Sequence, residues 1–172
     1  MKRHWKIVVL GMFLAAGLVA SQAWADTVRL MTFTLDPQSS PALPIASCLD
    51  LSSAAGVQST LGFNTPAPAR LVIRYNAECA VGGPVTNYLN LDIIIDPAGA
   101  GAPFTAPPSN SDNAFCSGNG TASNNDGWVS AITQAFASVP AGAHTVRVCV
   151  NGIGAAATWR IDDTSLTIES TP

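Results

Sequence analysis

The side chains best able to do chemistry alternate along two strand-like segments near the middle of the chain. In residues 71–81 and 87–96, apolar residues occupy nearly every second position and polar residues lie between them. Because side chains of a β-strand alternate between the two faces of a sheet, each segment predicts a strand with one polar face. The polar positions that we consider for ligand binding are Arg74, Asn76, Glu78, Tyr88, Asn90 and Asp92.

The turn-forming residues Gly82-Gly83-Pro84 between the two segments predict an antiparallel hairpin. Pairing around this turn sets Leu89 opposite Cys79 and brings both apolar faces to the core together. The six polar side chains then share the outward face of the 71–96 hairpin. One aromatic ring among amide and carboxylate groups suits a glycan, and a solvated face of cross-strand polar pairs is the alternative interpretation.

These residues are not accompanied by a catalytic signature. The chain has no G-x-S-x-G motif of the kind that marks many serine hydrolases. Glycoside hydrolysis needs two carboxyl groups about 5–9.5 Å apart across a cleft, and the only pair predicted to lie close together, Glu78 with Asp92, would sit on an open sheet face. His144 lies beside a turn without a nucleophile motif. We therefore expect no catalytic residues and a protein that is not an enzyme.

A second set of oxygen donors lies in the Asn- and Asp-rich segment 111–127. Asp112, Asn125 and Asp126 carry side-chain oxygens that suit a hard cation such as Ca²⁺. The segment has no Asp-x-Asp-x-Asp-Gly loop, so a polar loop without metal is the alternative interpretation. Calcium at this trio is the one cofactor that we consider, since a single histidine beyond the first 25 residues and the absence of C-x-x-C disfavour zinc.

The four cysteines, Cys48, Cys79, Cys116 and Cys149, predict two disulfides in an exported chain. Four cysteines allow three pairings, and the sequence does not choose among them. The pairing that we favour joins Cys48 to Cys79 and Cys116 to Cys149.

Residues 1–25 have the layout of a secretory signal peptide: Lys2, Arg3 and Lys6, then an apolar run, then a small-x-small end at Ala25. The apolar run is shorter than the roughly 20 residues of a spanning helix, so we expect cleavage and no membrane span in the mature chain. Cleavage leaves residues 26–172 as one domain, without lysine and with a net charge of −6 (8 − 3 = 5 basic against 11 acidic residues). An acidic chain without clusters of basic residues is expected to bind nucleic acid poorly.

Other segments give weaker predictions. Residues 27–35 predict a first strand, with apolar residues on both faces that suggest burial on both sides or a crossing between sheets. Short strands are expected near 46–51 and at 114–116. Residues 128–139 favour a strand over a helix, although their alanines are good helix formers, and both Trp128 and Trp159 are expected in the core. Asp162-Asp163 suggests a turn before a last strand.

Residues 142–169 give the clearest local signal: two β-rich runs on either side of Asn151-Gly152, a hairpin-type turn sequence. Val146, Val148 and Val150 are expected to face the core, and Cys149 points away from them. With seven to nine short strands and no confident helix, the chain predicts an all-β fold: an antiparallel two-sheet β-sandwich, jelly-roll-like.

The strand Gly142-x-His144-Thr-Val-x-Val148, a glycine turn and the closing run Ile161-Asp-Asp-Thr-Ser-Leu-Thr-Ile168 resemble the C-terminal end of bacterial secreted jelly-roll modules. These modules include carbohydrate-binding and adhesin-type domains. The resemblance implies a concave sheet face or loop rim that binds glycans or partner proteins, with structural calcium in some members. We therefore expect a protein that is secreted, periplasmic or at the cell surface, with a structural or binding role and a glycan or an envelope or extracellular protein as partner.

Overall fold

The computed structural model describes residues 27–35, 37–40, 46–52, 58–96, 104–105, 114–121, 127–154 and 158–171. The described residues form eleven β-strands and no helix. The strands are Thr27–Thr34 (β1), Gln38–Ser39 (β2), Ala46–Cys48 (β3), Leu61–Thr65 (β4), Ala69–Val81 (β5), Tyr88–Ile95 (β6), Phe104–Thr105 (β7), Ala114–Ser117 (β8), Val129–Val139 (β9), Gly142–Ile153 (β10) and Trp159–Thr171 (β11). The segment assigned to a signal peptide, 1–25, lies outside the described residues.

The strands form two antiparallel sheets that pack against each other. Sheet A has the order β1-β11-β5-β9, with β2 also paired to β11. Sheet B has the order β3-β10-β6-β7, with β4 also paired to β10 and β8 to β6. The predicted two-sheet β-sandwich is therefore confirmed.

Three pairs of strands each act as one broken strand. β1 with β2 flank β11, β3 with β4 flank β10, and β7 with β8 flank β6. Counted this way, each sheet has four ribbons. Their chain order across the sheets is 1-8-3-6 in sheet A and 2-7-4-5 in sheet B. This alternation of sheets along the chain is the arrangement of an eight-stranded jelly roll.

The core fills the space between the sheets and comes from the apolar rows of four long strands. β5 contributes its odd-numbered residues from Leu71 to Val81, and β6 those from Leu89 to Ile95, all of them buried. Val146, Val148 and Val150 of β10 lie against them, as the alternation predicted. Trp159 is fully buried at the start of β11. Burying this much apolar surface is the main stabilising contribution to such a sandwich.

The two predicted hairpins are wrong, because their strands lie in different sheets. β5 pairs with β11 and β9 in sheet A, whereas β6 pairs with β10 in sheet B. Likewise β10 and β11 belong to opposite sheets, and Asn151-Gly152 is not a turn between them but lies within β10, paired with Asn90 and Leu89 of β6. An apolar row on a strand indicates only that one face of that strand packs against the core. It does not indicate which strand pairs with it. Two strands in facing sheets carry such rows just as two paired strands do.

Strands β9, β1 and β11 differ in part from what the sequence predicted. β9 is a strand, as favoured, but Trp128, Ile132 and Phe136 lie on its solvent side and the small residues face the core. β1 is not buried on both sides, because Met31 and Phe33 are 68% and 57% exposed. Residues 159–171 form one continuous strand, and the Asp162-Asp163 pair lies at a bulge within it.

All four cysteines form disulfides, as predicted, but the favoured pairing is wrong. Cys48 is bonded to Cys149, which is its neighbour in register on the next strand of sheet B. Cys79 is bonded to Cys116, which links β5 of sheet A to β8 of sheet B through the core. Cys79 faces the core whereas Cys48 lies beside Cys149 on the outer side of sheet B, so these two cannot meet. The two disulfides indicate an oxidising environment, extracellular or periplasmic.

Candidate functional site

Half of the predicted ligand-binding set lies on the outer face of sheet A. Arg74, Asn76 and Glu78 alternate with the buried residues of β5 and therefore point away from the core. The strand registers place their neighbours in rows across the sheet. In the order β1, β11, β5, β9, two rows are Met31, Thr167, Arg74 and Gln134, and then Phe33, Ser165, Asn76 and Ile132.

Polar contacts tie the centre of this face together. Arg74 forms an ion pair with Glu169 on β11, at 2.5 Å, and its Nε donates to the Gln134 side chain on β9 at 3.3 Å. Asn76 donates from Nδ2 to the Ser165 hydroxyl at 3.2 Å. These side chains are partly exposed, so each contact contributes little to stability. Their effect is to hold a flat polar band along the middle of sheet A.

Shallow grooves run along the outer face beside β9. One, of about 420 Å³, is lined by side chains of both polar and apolar type. Its lining includes Asn76, Glu78, Ile132 and Asp163. A second, of about 530 Å³, lies between Arg70, Phe136 and Thr171. The first groove is lined by two carboxylates, Glu78 and Asp163, and both grooves are open to solvent.

Large exposed apolar side chains flank the polar band, and their exposure was not predicted from the sequence. Of the nine among the described residues, eight lie on or next to the two edge strands of sheet A, and only Val85 lies elsewhere. They are Val28, Met31, Phe33 and Leu35 at β1, and Trp128, Val129, Ile132 and Phe136 at β9. At β9 a signal was present, because the opposite row of the strand contains neither charged nor amide side chains. At β1 both rows contain apolar and polar residues and give no such signal.

The other half of the predicted set lies on sheet B. Tyr88, Asn90 and Asp92 follow one row of β6, whose outer side is turned away from sheet A. Asn90 is buried, and its side-chain oxygen has no hydrogen-bond partner among the described residues. Burial raises the pKa of the Asp92 carboxyl above its usual range. The six residues therefore do not form one site.

The separation removes the carboxylate pair considered for glycoside hydrolysis. Glu78 lies on the outer side of sheet A and Asp92 on the outer side of sheet B. Packed sheets are about 10 Å apart before the outward reach of each side chain is added. The two carboxyl groups consequently point into solvent on opposite sides of the molecule.

His144 is buried and fully engaged in local structure. Its Nδ1 lies 2.8 Å from Asp96 Oδ2, and its Nε2 lies 3.0 Å from the Pro140 carbonyl oxygen. The second oxygen of Asp96 accepts the backbone N–H of Thr145 at 2.8 Å. The ring also packs at 5.4 Å from that of Phe63. This arrangement fixes the start of β10 and gives both ring nitrogens a hydrogen-bond partner within the fold.

The calcium prediction falls on residues that the structure does not describe: Asp112, Asn125 and Asp126. Elsewhere, in the described ranges, no three His, Cys, Asp or Glu side chains cluster as a metal site requires. Within the same ranges no helix meets the length and apolarity of a membrane span.

Comparisons with known proteins assign no family. No protein-family model matches the chain, and no curated protein matches it at a significant level of sequence similarity.

Proposed function

We propose that this protein is an exported, disulfide-bonded structural module that acts without catalysis and binds protein partners through the edges of sheet A. The observation that carries the proposal is the concentration of exposed apolar side chains at β1 and β9. Large exposed apolar patches on a folded domain commonly mark sites of interaction with other proteins. Secretion to the periplasm, the cell surface or the medium is the matching location, since the chain carries two disulfides.

The two sheets differ in how their edges are built, which supports sheet A as the binding element. Both edges of sheet B consist of strands of two to five residues. Short, interrupted edges are one way in which proteins prevent pairing with other chains. Sheet A has edge strands of 8 and 11 residues, of which β1 carries one charged side chain, Arg29, and β9 carries none. Long edges of this kind accept an additional strand from a partner.

An in situ cross-linking experiment tests this proposal. The full chain is expressed with its own signal in its own host, and an amine-independent photo-cross-linker is placed at an exposed edge position such as Ser138. We expect cross-linked protein adducts that decrease when Phe33→Lys and Phe136→Lys introduce charge at the two edges. Asp92→Asn, on the opposite sheet, is the matched control. Absence of adducts, or adducts unaffected by both lysines, would contradict the proposal.

Glycan binding is the second candidate function. Because the six predicted residues are divided between the two sheets, the candidate site is now the groove beside β9. The groove beside β9 combines the amide of Asn76, the carboxylates of Glu78 and Asp163, and the apolar side chain of Ile132. Amide and carboxylate groups hydrogen-bond sugar hydroxyls, and an apolar side chain covers the C–H face of a sugar ring. A glycan array tests it: binding should be lost in Asn76→Ala and Glu78→Gln and retained in Asp92→Asn. An array with no bound glycan would remove this candidate.

A further inference from the structure

Strand β9 lies at an edge of the described part of sheet A, and its sequence is close to a palindrome. It reads Val-Ser-Ala-Ile-Thr-Gln-Ala-Phe-Ala-Ser-Val from residue 129 to 139. It contains no charged residue and no proline. Among the described residues it pairs only with β5, which leaves its other side without a partner strand. Edge strands are usually protected by lysine, proline, a bulge or short length, and β9 has none of these.

The palindrome is centred on Gln134. Three residue types repeat at equal distances on both sides: valine at 129 and 139, serine at 130 and 138, and alanine at 131 and 137. At the remaining two positions a large apolar side chain, Ile132, matches Phe136, and a small one, Thr133, matches Ala135. When a strand pairs antiparallel with its own copy across a two-fold axis, each residue meets the one at the mirrored position. In such a self-pair, a palindromic sequence places the same or similar residue types opposite each other along the whole strand. A palindrome has no such consequence when the partner strand has a different sequence.

We propose that β9 pairs antiparallel with β9 of a second copy, with Gln134 at the two-fold axis. This rests on the proposed function and names the partner at one of the two edges. The pairing joins two sheets of type A into one continuous sheet and gives an isologous, closed dimer. It differs from general edge binding in fixing the occupant and the register.

The exposed side chains of β9 fit this register. On the outer face, Ile132 and Phe136 are 66% and 51% exposed in the single chain. In the pair, Ile132 faces Phe136 of the second copy, and the same contact recurs on the other side of the axis. Aromatic and β-branched side chains directly opposite each other are a favourable cross-strand combination. Both residues therefore lose solvent exposure together.

The axis itself is occupied by a polar pair that is already oriented. Arg74 donates to the Gln134 side-chain oxygen at 3.3 Å, which leaves the amide nitrogen of Gln134 to donate to its counterpart. Small residues border it on the core side, with Ala135 buried and Thr133 partly buried. Since β9 has no charge, pairing brings no like charges face to face within the ladder.

Cysteine substitution on the axis tests the register directly. In the full mature protein with both native disulfides, Gln134→Cys places two thiols opposite each other, and oxidation should give a covalent dimer. Ser138→Cys is the matched control, because its thiol faces Ser130 of the second copy and lies about 27 Å from its own counterpart at 3.4 Å per residue. Disulfide geometry requires Cβ atoms about 3.5–4.5 Å apart. We expect about tenfold more covalent dimer from Gln134→Cys than from Ser138→Cys.

A second measurement does not depend on the reactivity of the introduced thiols. Sedimentation velocity should give a concentration-dependent dimer for the wild-type chain, a monomer for Phe136→Lys and a dimer for Phe33→Lys at the other edge. Equal cross-linking of the two cysteine variants, or a dimer that Phe136→Lys leaves intact, overturns the inference. A chain that stays monomeric here but gives edge-dependent adducts in the host overturns the second copy as partner and leaves the proposed function standing. Absence of host adducts counts against the proposed function instead.

Discussion

Removal of each disulfide in turn tests how this sandwich is stabilised, because two physical effects predict opposite orders. The disulfides are nested: Cys48–Cys149 spans 101 residues and encloses Cys79–Cys116, which spans 37. The proposed variants are the double substitutions Cys48→Ala with Cys149→Ala, and Cys79→Ala with Cys116→Ala. Each leaves the other bridge intact.

Loop closure alone makes the outer disulfide the more important one. With the inner bridge in place, the outer one closes an effective loop of 64 residues (101 − 37). The chain-entropy relation then gives about 4.3 kcal/mol for the outer bridge and about 3.8 kcal/mol for the inner one at 25 °C. On this effect alone the outer double variant is less stable by about 0.5 kcal/mol.

Packing reverses that order. Cys79 and Cys116 are 0% and 5% exposed and belong to the core cluster, whereas Cys48 and Cys149 are only partly buried. Alanine at the two core positions removes two sulfur atoms and leaves a cavity between the sheets. By comparison with the loss of one buried methyl group per site, this adds about 1–3 kcal/mol. The inner double variant should therefore lose about 5–7 kcal/mol, and the outer one about 4–5 kcal/mol.

Urea unfolding under non-reducing conditions measures both values. The midpoint should fall further for the inner variant, by an amount equivalent to about 0.5–2.5 kcal/mol. If the inner variant does not fold, Cys79→Val with Cys116→Ala restores part of the lost volume and should recover a measurable transition. An outer variant less stable than the inner one would refute the packing argument. Losses below about 1 kcal/mol for both variants would refute the loop-closure argument as well.

Three further substitutions give distinct expectations. Asp92→Asn should stabilise the protein at pH 7 by about 0.5 kcal/mol or less and have no such effect near pH 3, because the pKa of Asp92 is raised in the folded state. A raised pKa means that the folded state binds the proton more tightly, so stability falls as pH rises from the unfolded to the folded pKa. His144→Leu should lower the free energy of unfolding by about 2–3 kcal/mol, since it leaves Asp96 without its ring partner. Arg74→Met should change it by less than about 1 kcal/mol, because the ion pair with Glu169 is partly exposed. Urea titrations at the stated pH values check all three, and an effect of Arg74→Met larger than that of His144→Leu would contradict this ranking.

The sequence predicted the secondary structure of the long strands because alternation depends on burial alone. Residues 71–81 and 89–95 have one apolar row each, and both rows are buried. Val146, Val148 and Val150 follow the same rule. These predictions needed only to know which face of each strand is buried, and the alternation of apolar and polar residues in the sequence gives that face.

Strand partners and disulfide pairing were not predictable in the same way. The apolar rows of β5 and β6 meet the core whether the strands are paired or face each other from opposite sheets. The glycine-rich turn after Val81 suits a tight hairpin and a crossing between sheets equally. Cys79 and Cys116 approach only because their strands face each other across the core, so the correct pairing follows from the topology and from nothing local in the sequence.

The exposed apolar side chains of sheet A were not predicted, because a large apolar side chain ordinarily indicates burial. One row of β9 contains Ile132 and Phe136, in line with Trp128, which was expected in the core, and the other row contains alanine, valine and threonine. The structure buries Ala135 and Ala137 instead. The reason lies in the sequence of the larger row, since Ser130, Gln134 and Ser138 share it, and burial there would leave their polar groups without water. Polarity of a whole row is thus a better guide to its direction than the size of its largest members.

The alternation of sheets also explains why the predicted site divided and where a functional surface can form. In a jelly roll, consecutive ribbons often lie in opposite sheets, so polar residues that are near in sequence on β5 and β6 end on opposite outer faces. Residues that are far apart in sequence meet instead: Arg74 contacts Glu169 and Gln134, and Asn76 contacts Ser165. A binding surface on a sheet face therefore combines residues of β1, β5, β9 and β11, or residues from the strands of sheet B. The exposed apolar residues obey this rule, because nearly all of them belong to the first group.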